Sequence, residues 1–253
     1  MGFAFTFRAL CAPKEGSTDA QYEDAWAITD AGEAAGVITS APLLTIALSD
    51  GASSAVYAKD WAKRLVTTFG SLDGNVATIP NAELATSIAN QGKEWRGEVE
   101  GRATSWHAQE KLASGSAATL LVATLDGSQA RWDAFAIGDV CLFVIRRGKL
   151  KYAFPVTRSA GFDDRPALLS TEARGAFPEV KRFGASIEPG DRFLLMTDAM
   201  SAWFLNAFER KRNPWELLPT EPDAFPAWLQ QERLSGAMKN DDVTLLDISV
   251  SSA

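Results

Sequence analysis

Histidine and cysteine are scarce in this sequence, and their scarcity limits the kinds of catalytic site it can form. His107 is the only histidine among 253 residues, so a histidine-rich zinc site, a Ser-His-Asp triad or a Cys-His pair would each depend on it. It lies in a polar run beside Trp106 and Glu110 with no local nucleophile motif, which is typical of a surface histidine. Cys11 and Cys141 each lie in an apolar stretch, which predicts free buried thiols in a reducing compartment.

Excess positive charge and long apolar runs are also absent. The 25 lysines and arginines are outnumbered by 32 aspartates and glutamates, for a net charge of −7. This argues against nucleic acid or an anionic membrane as a partner, because both attract a basic surface. No stretch approaches the ~18 uncharged apolar residues of a membrane span, and the start of the chain lacks the pattern of a signal peptide. We therefore expect a cytoplasmic protein in which residues 1–253 form one domain.

Carboxylates stand at the ends of four separate apolar segments. Two segments end in Asp50-Gly51 and Thr197-Asp198, and two others begin just after Glu23-Asp24 and Asp241-Asp242. If these ends converge, the carboxylates repel one another, and hard divalent cations are the most economical way to neutralise them. Two cations of the Mg²⁺ or Mn²⁺ type would suit hydrolysis of a phosphate ester. The alternative is that each aspartate is an ordinary turn or cap residue.

The order of predicted elements is strands, two helices, a block of hairpins, two helices and one strand. Ser53 is expected to cap a helix over residues 55–69, and Asn81 a second helix that runs toward His107. Asp-Gly and Gly-Lys pairs between residues 117 and 154 predict an antiparallel meander. Residues 156–185 are expected to form a long loop with at most one short strand. This order favours an α+β class, with antiparallel sheets packed together and helices on the outer faces.

A set of short motifs stands in a fixed order along the chain. The motifs are Glu23-Asp24-Ala25, Asp50-Gly51, Gly115-Ser116-Ala117-Ala118, Gly138-Asp139, Gly190-Asp191, Thr197-Asp198 and Asp241-Asp242-Val243-Thr244. This ordered set resembles the metal-dependent protein phosphatases of type 2C, and the bacterial-type members in particular. The resemblance covers nearly the whole chain and implies a four-layer α-β-β-α sandwich, with two antiparallel sheets flanked by helix pairs. It also implies a dinuclear Mn²⁺ or Mg²⁺ centre that hydrolyses phosphoserine and phosphothreonine in proteins.

The same resemblance implies roles for individual residues. Asp50 would bridge both ions, and Asp198 and Asp241 would complete one of the two sites, so these three are the implied catalytic residues. The remaining implied ligands serve the second ion or a third, weaker one. They are the Gly51 carbonyl and Glu23 or Asp24, mostly through water, and Asp139, for which a plain hairpin-turn role is the alternative.

Several substrate-handling positions depart from the family pattern. Asp19 occupies the place of the phosphate-binding arginine, so Lys14 or a loop arginine such as Arg158 would have to substitute. Ala52 stands where the family often has histidine, and Ala199 replaces the glycine of Thr-Asp-Gly.

Two functions remain open. The first is an active phosphatase that acts on a phosphorylated protein and is paired with a cognate Ser/Thr kinase. The second is a pseudophosphatase that binds a phosphoprotein or regulates a partner kinase. Retention of the implied metal ligands favours activity, because unpaired buried carboxylates are costly.

Overall fold

The computed structural model describes residues 3–29, 43–102, 109, 112–162, 165–172 and 175–252, together with the backbone of residues 38 and 39. The strands are β1 (Phe3–Ala12), β2 (Ala25–Ile28), β3 (Ile38–Thr39), β4 (Leu43–Ser49), β5 (Ala117–Ala118), β6 (Leu120–Asp126), β7 (Arg131–Ile137), β8 (Cys141–Arg146), β9 (Lys149–Phe154), β10 (Leu169–Ser170), β11 (Lys181–Ser186), β12 (Arg192–Met196) and β13 (Val243–Ser252). The α-helices are α1 (Ala58–Phe69), α2 (Asn81–Val99), α3 (Asp198–Glu209), α4 (Pro214–Leu217) and α5 (Phe225–Leu234). Short 3-10 turns cover Asp19–Gln21, Val76–Thr78, Glu100–Arg102, Ser159–Gly161 and Pro222–Ala224.

Two antiparallel sheets form the centre of the molecule. One has six strands in the order β3-β1-β13-β12-β8-β9, and the other has five in the order β11-β7-β6-β4-β2. A short β10-β5 pair lies beside them. The inner faces of the two sheets bury one apolar core, in which the Trp132 ring meets Phe193 edge to face at 5.7 Å between centroids. The alternation of apolar residues along β1 and β4 supplies part of this layer, because every second side chain points inward.

Helices cover the outer face of each sheet. Trp61 and Phe69 of α1 and Trp95 of α2 pack on the five-stranded sheet. On the other side, Phe204 of α3 stacks on Phe143 of β8 with 4.3 Å between ring centroids. The predicted α+β class and the α-β-β-α order of layers are therefore confirmed.

The predicted meander between residues 117 and 154 is wrong, because its strands divide between the two sheets. β6 and β7 belong to the five-stranded sheet, whereas β8 and β9 belong to the six-stranded one. The chain crosses over at Gly138, whose φ of +97° suits glycine. The predicted loop over residues 156–185 contains the short strand β10, and β11 begins in it at Lys181 and pairs with β7 at the sheet edge.

Both helix caps were assigned incorrectly from the sequence. Helix α1 begins at Ala58 after Tyr57, which has a φ of +51°, so Ser53 does not cap it. Helix α2 begins at Asn81 with Pro80 as its N-cap, and it ends at Val99. The predicted continuation toward His107 lies outside the described residues.

Of the two predicted buried cysteines, only one is buried. Cys141 is buried as predicted, whereas Cys11 is exposed, which contradicts the prediction of a buried thiol. Across the described ranges, no helix combines the length and apolar character needed to cross a membrane.

Candidate metal centre

One cavity of about 250 Å³ brings together residues from distant parts of the chain at one end of the two sheets. It contains Asp50 after β4, Asp139 between β7 and β8, Asp198 at the start of α3 and Asp241 before β13. The antiparallel arrangement therefore places strand ends that are far apart in sequence at one edge. The full lining is Asp50, Gly51, Ala52, Ser53, Ser54, Thr119, Asp139, Pro166, Leu168, Asp198, Lys239 and Asp241.

Asp50 is fixed by the backbone and the hydroxyl of Thr119, the residue between β5 and β6. The Asp50 amide donates to Thr119 Oγ1 at 3.1 Å, and the Asp50 carbonyl accepts from the Thr119 amide at 2.9 Å. The Ser49 hydroxyl adds a third contact by donating to the Thr119 carbonyl at 2.6 Å. The single strand predicted from residue 117 onward is divided at Thr119 into β5 and β6. The bonds to Thr119 fix the Asp50 backbone, and the Asp50 side chain lines the cavity.

Gly51 is required by the close approach of two backbone segments. A methyl group at this position would lie 2.7 Å from the Glu23 carbonyl oxygen and 3.0 Å from the Ala58 carbonyl carbon. Only glycine leaves room for these contacts. The consequence is that Glu23, at the end of the loop before β2, lies directly against the Asp50-Gly51 turn.

Asp198 and Asp241 enter the cavity from a helix start and a strand start. Asp198 is the first residue of α3, where the helix dipole favours a negative charge, and its Oδ1 accepts the Ala199 amide. Asp241 Oδ1 accepts the amide of Asp242 at 3.1 Å. Lys239 contacts both carboxylates, with its Nζ 2.9 Å from Asp241 Oδ2 and 3.9 Å from Asp198 Oδ2.

Asp24 is buried behind this cavity and has a single hydrogen-bonded oxygen. Its Oδ2 accepts from the Thr244 hydroxyl at 2.7 Å, and the Tyr22 hydroxyl contacts the same threonine oxygen. Its Oδ1 is buried without a hydrogen-bond partner among the described residues. Burial, assisted by the charge of Asp242, raises the pKa of Asp24 from 3.8 to about 8. An orphaned carboxylate oxygen of this kind fits a site that receives a cation.

Burial and electrostatic repulsion together disfavour the charged form of the carboxylates in the cavity. Burial raises the pKa of Asp50 well above its usual value, and the charges of Asp24, Asp198, Asp139 and Asp241 raise it further. Burial and Asp241 also raise the pKa of Asp198, against the opposing effect of Lys239. Carboxylates in such surroundings take up protons or bind cations.

The donor set fits a hard divalent ion, because every candidate ligand is an oxygen atom. In the described part of the chain, however, no three acidic, histidine or cysteine side chains are drawn together at coordination spacing. The carboxylates are gathered in one cavity, and the ammonium group of Lys239 lies against two of them.

Lys239 takes part in this site and was not predicted from the sequence, and Asp242 was named only as a member of the Asp241-Asp242 pair, without a role of its own. Asp242 accepts the amides of Lys14 at 2.8 Å and of Glu23 at 2.7 Å, so it positions the loop that precedes β2. Its place beside Asp241 in the last motif was a usable signal. No pattern in the sequence singled out Lys239.

Of the positions that depart from the family pattern, Ala52 lines the cavity, and of the two proposed substitutes for the missing arginine, Lys14 lies beside it. Lys14 Nζ donates to the Ser53 hydroxyl at 3.2 Å and lies 3.5 Å from Glu23 Oε2, beside the cavity. Arg158 precedes a turn in which Ser159 bonds to Glu209, at the opposite end of α3 from Asp198. Those ends are about 16 Å apart at 1.5 Å per residue, so the structure favours Lys14 over Arg158. His107 lies outside the described residues.

Comparison with known proteins agrees with this architecture. The profile of the protein phosphatase 2C family matches residues 17–238. The chain belongs to that family. The interpretation as a phosphatase-family hydrolase is therefore confirmed, although Asp241 and Lys239 lie just beyond the matched range. A comparison with curated protein sequences found no significant match.

Solved structures show the same fold at low sequence identity. The Mycobacterium tuberculosis serine/threonine phosphatase PstP/Ppp is 17% identical, with a TM-score of 0.60 over 98% of this chain and 100% of that one. The catalytic domain of the phosphatase PstP in complex with two manganese ions is 19% identical, with a TM-score of 0.59 over 99% and 100%. PppA of Pseudomonas aeruginosa, a regulatory component of T6SS, is 19% identical, with a TM-score of 0.59 over 97% of each chain.

Proposed function

We propose that this protein hydrolyses phosphoserine and phosphothreonine esters of phosphoproteins, using two Mn²⁺ or Mg²⁺ ions. The observation that supports this most directly is the gathering of Asp50, Asp198 and Asp241 in one cavity with strong mutual repulsion. Membership of the phosphatase family and the two manganese ions of the PstP complex support the same assignment.

The proposed ligands divide between the two ions. Asp50 would be shared by both ions, and Asp198 and Asp241 would complete one site. Bound divalent cations would supply positive charge that acidifies water and polarises phosphoryl oxygens. The Gly51 carbonyl and either Glu23 or Asp24, mostly through water, would hold the second ion, and Asp139 would be available to a third, weaker one.

Lys14 is the residue beside the cavity that we propose contacts the substrate phosphate. Asp242 accepts hydrogen bonds from the amides of Lys14 and Glu23 and so keeps the Lys14 ammonium near the cavity mouth, where it can contact a phosphate dianion.

Ala52 has no proton to offer a leaving group. An aryl phosphate leaves as a stable phenolate and needs little such help, whereas phosphoserine does need it. We therefore expect faster turnover of aryl phosphates than of phosphoserine.

Phosphate release with and without Mn²⁺ tests the proposal. The wild type should hydrolyse a phosphothreonine peptide and an aryl phosphate only with the metal. Asp198→Asn should release phosphate at least about 100-fold more slowly than wild type, because a charged group in the site is removed. Asp223→Asn, at an exposed position in the turn before α5, is the matched control and should behave as wild type. Metal-independent release, or equal rates for wild type and Asp198→Asn, would contradict the proposal.

A pseudophosphatase that binds a phosphoprotein or regulates a kinase is the second candidate. It is favoured by Asp19 at the arginine position and by the Lys239 ammonium against two proposed metal ligands. Tight binding of the phosphothreonine peptide with no release of phosphate in Mn²⁺ would support this candidate. For either candidate we propose a cytoplasmic protein with a single domain over residues 1–253, a phosphoprotein partner and a cognate kinase.

A further inference from the structure

Lys239 places a positive charge against two carboxylates that are the proposed ligands of one metal ion. Its Nζ is 2.9 Å from Asp241 Oδ2 and 3.9 Å from Asp198 Oδ2. The lysine side chain is 63% exposed, whereas those of Asp198 and Asp241 are 25% and 26% exposed. The ammonium group therefore reaches the carboxylates from the open side of the cavity.

The backbone on both sides of Lys239 is anchored. Met238 is buried in the core under α3 and α5. Asn240 accepts the Glu15 amide at 2.7 Å and donates to the Glu15 carbonyl at 3.3 Å, and Arg233 donates to the Asp241 carbonyl at 2.6 Å. The loop thus keeps the base of the lysine side chain beside the carboxylates, while its exposed end keeps room to move.

We propose that Lys239 is a tethered cation that neutralises the Asp198 and Asp241 pair in the metal-free protein and has to be displaced when a divalent ion binds there. Lys239 thereby sets the metal concentration at which the site fills. This inference rests on the proposed function, because it takes Asp198 and Asp241 as metal ligands.

Competition for the same oxygen atoms is the physical reason. A divalent ion on Asp198 and Asp241 repels an ammonium group a few ångströms away, and the lysine can move into solvent because its side chain is mostly exposed. Giving up the attraction between the ammonium group and one carboxylate about 4 Å away, in a water-like dielectric, lowers metal affinity about fivefold. Neutralising Lys239 should therefore strengthen metal binding and lower the thermal stability of the metal-free protein.

The test compares Lys239→Gln, Lys239→Arg and wild type in calorimetric titrations with Mn²⁺ alone and in thermal unfolding. Lys59→Gln is the matched control. It removes the same charge from an exposed position on α1, where Lys59 Nζ donates to the Asp19 carbonyl at 3.0 Å outside the carboxylate cavity.

Lys239→Gln should bind Mn²⁺ about fivefold more tightly than wild type, and Lys59→Gln and Lys239→Arg should match wild type. In chelator, Lys239→Gln should melt at a lower temperature than wild type, and in saturating Mn²⁺ this order should disappear or reverse. A general defect in folding would lower the melting temperature under both conditions, so the change of order is specific to a competing cation.

Equal or weaker Mn²⁺ affinity in Lys239→Gln overturns this inference. An equal gain in Lys59→Gln also overturns it, because net charge would then be the cause. Failure of the proposed function gives a different result. The Asp50→Asn variant would then bind Mn²⁺ as tightly as wild type does. If none of the proteins binds Mn²⁺, both proposals are overturned.

Discussion

Replacement of Gly51 by alanine tests whether the tight contact at the cavity floor is needed for folding and metal binding. The added methyl group would lie 2.7 Å from the Glu23 carbonyl oxygen, 3.0 Å from the Ala58 carbonyl carbon and 3.1 Å from Ala58 Cβ. Two of these atoms belong to the main chain, and Ala58 is buried at the start of α1, so neither can move away cheaply. The turn and the loop before β2 must separate instead.

Overpacking of this kind costs about 2 kcal/mol of unfolding free energy, which lowers the melting temperature of a chain of this size by about 4–8 °C. Mn²⁺ affinity should fall about tenfold, because the Gly51 carbonyl and Glu23 shift away from their positions beside Asp50. Thermal unfolding in chelator measures the first effect, and calorimetric titration with Mn²⁺ measures the second.

Gly97→Ala is the matched control, because a methyl group at this exposed position on α2 meets no atom within 4 Å. Alanine is the better helix former, so this variant should gain about 0.5–1 kcal/mol and bind Mn²⁺ as wild type does. If Gly51→Ala melts and binds like wild type, the close approach of Glu23 does not constrain the site. If both variants lose stability alike, the loss is not due to the contact at Gly51.

Two further predictions concern stability. Asp247 is buried between Arg8, whose Nε donates at 2.7 Å, and Arg192, whose Nε and Nη2 donate at 2.7 Å each, so Asp247→Asn should cost about 3 kcal/mol in urea unfolding. A loss no larger than that of the exposed Asp223→Asn would show that this network adds nothing. In chelator, the raised pKa of Asp24, about 8 against an ordinary 3.8, means that the folded state holds the proton more tightly than the unfolded state. The resulting stability is complete below about pH 4 and is lost as the pH rises through 8. Asp24→Asn should flatten that decline in urea unfolding measured from pH 4 to 8, and an unchanged pH profile would show that Asp24 is not its source.

The sequence was sufficient to locate the carboxylates of the cavity, because each follows or precedes a short apolar run. β4 ends at Ser49 and β12 at Met196, so Asp50 follows directly, and Asp198 comes after one further residue. The pattern depends only on local burial, and burial is recorded in the run of apolar residues itself. Their convergence in space was an inference from the ends of the predicted strands. In the structure Asp50, Asp198 and Asp241 line one cavity, whereas Glu23 and Asp24 do not line it.

The division of strands between the sheets could not be read from the same patterns. Gly138-Asp139 between two apolar runs looks like a hairpin turn, yet β7 pairs with β6 and β11 while β8 pairs with β9 and β12. Both arrangements satisfy the local backbone, so contacts between distant residues decide the outcome. A side chain at Gly138 would meet Thr119 at 2.6 Å and the Ala167 carbonyl at 2.8 Å, which shows how tightly the crossover packs.

Charge partners were the least predictable feature, for a related reason. Lys239 is separated from Asp198 by 41 positions and Asp242 from Lys14 by 228, so neither contact leaves a spacing signal. A lysine in a polar turn before a strand is typical of a solvated surface. Its position over Asp241 and Asp198 arises only because the start of β13 lies next to the end of β12, whose last residue, Met196, pairs with Leu245. The same strand pairing that brings Asp198 and Asp241 together therefore also places Lys239, the cation that we propose competes for them.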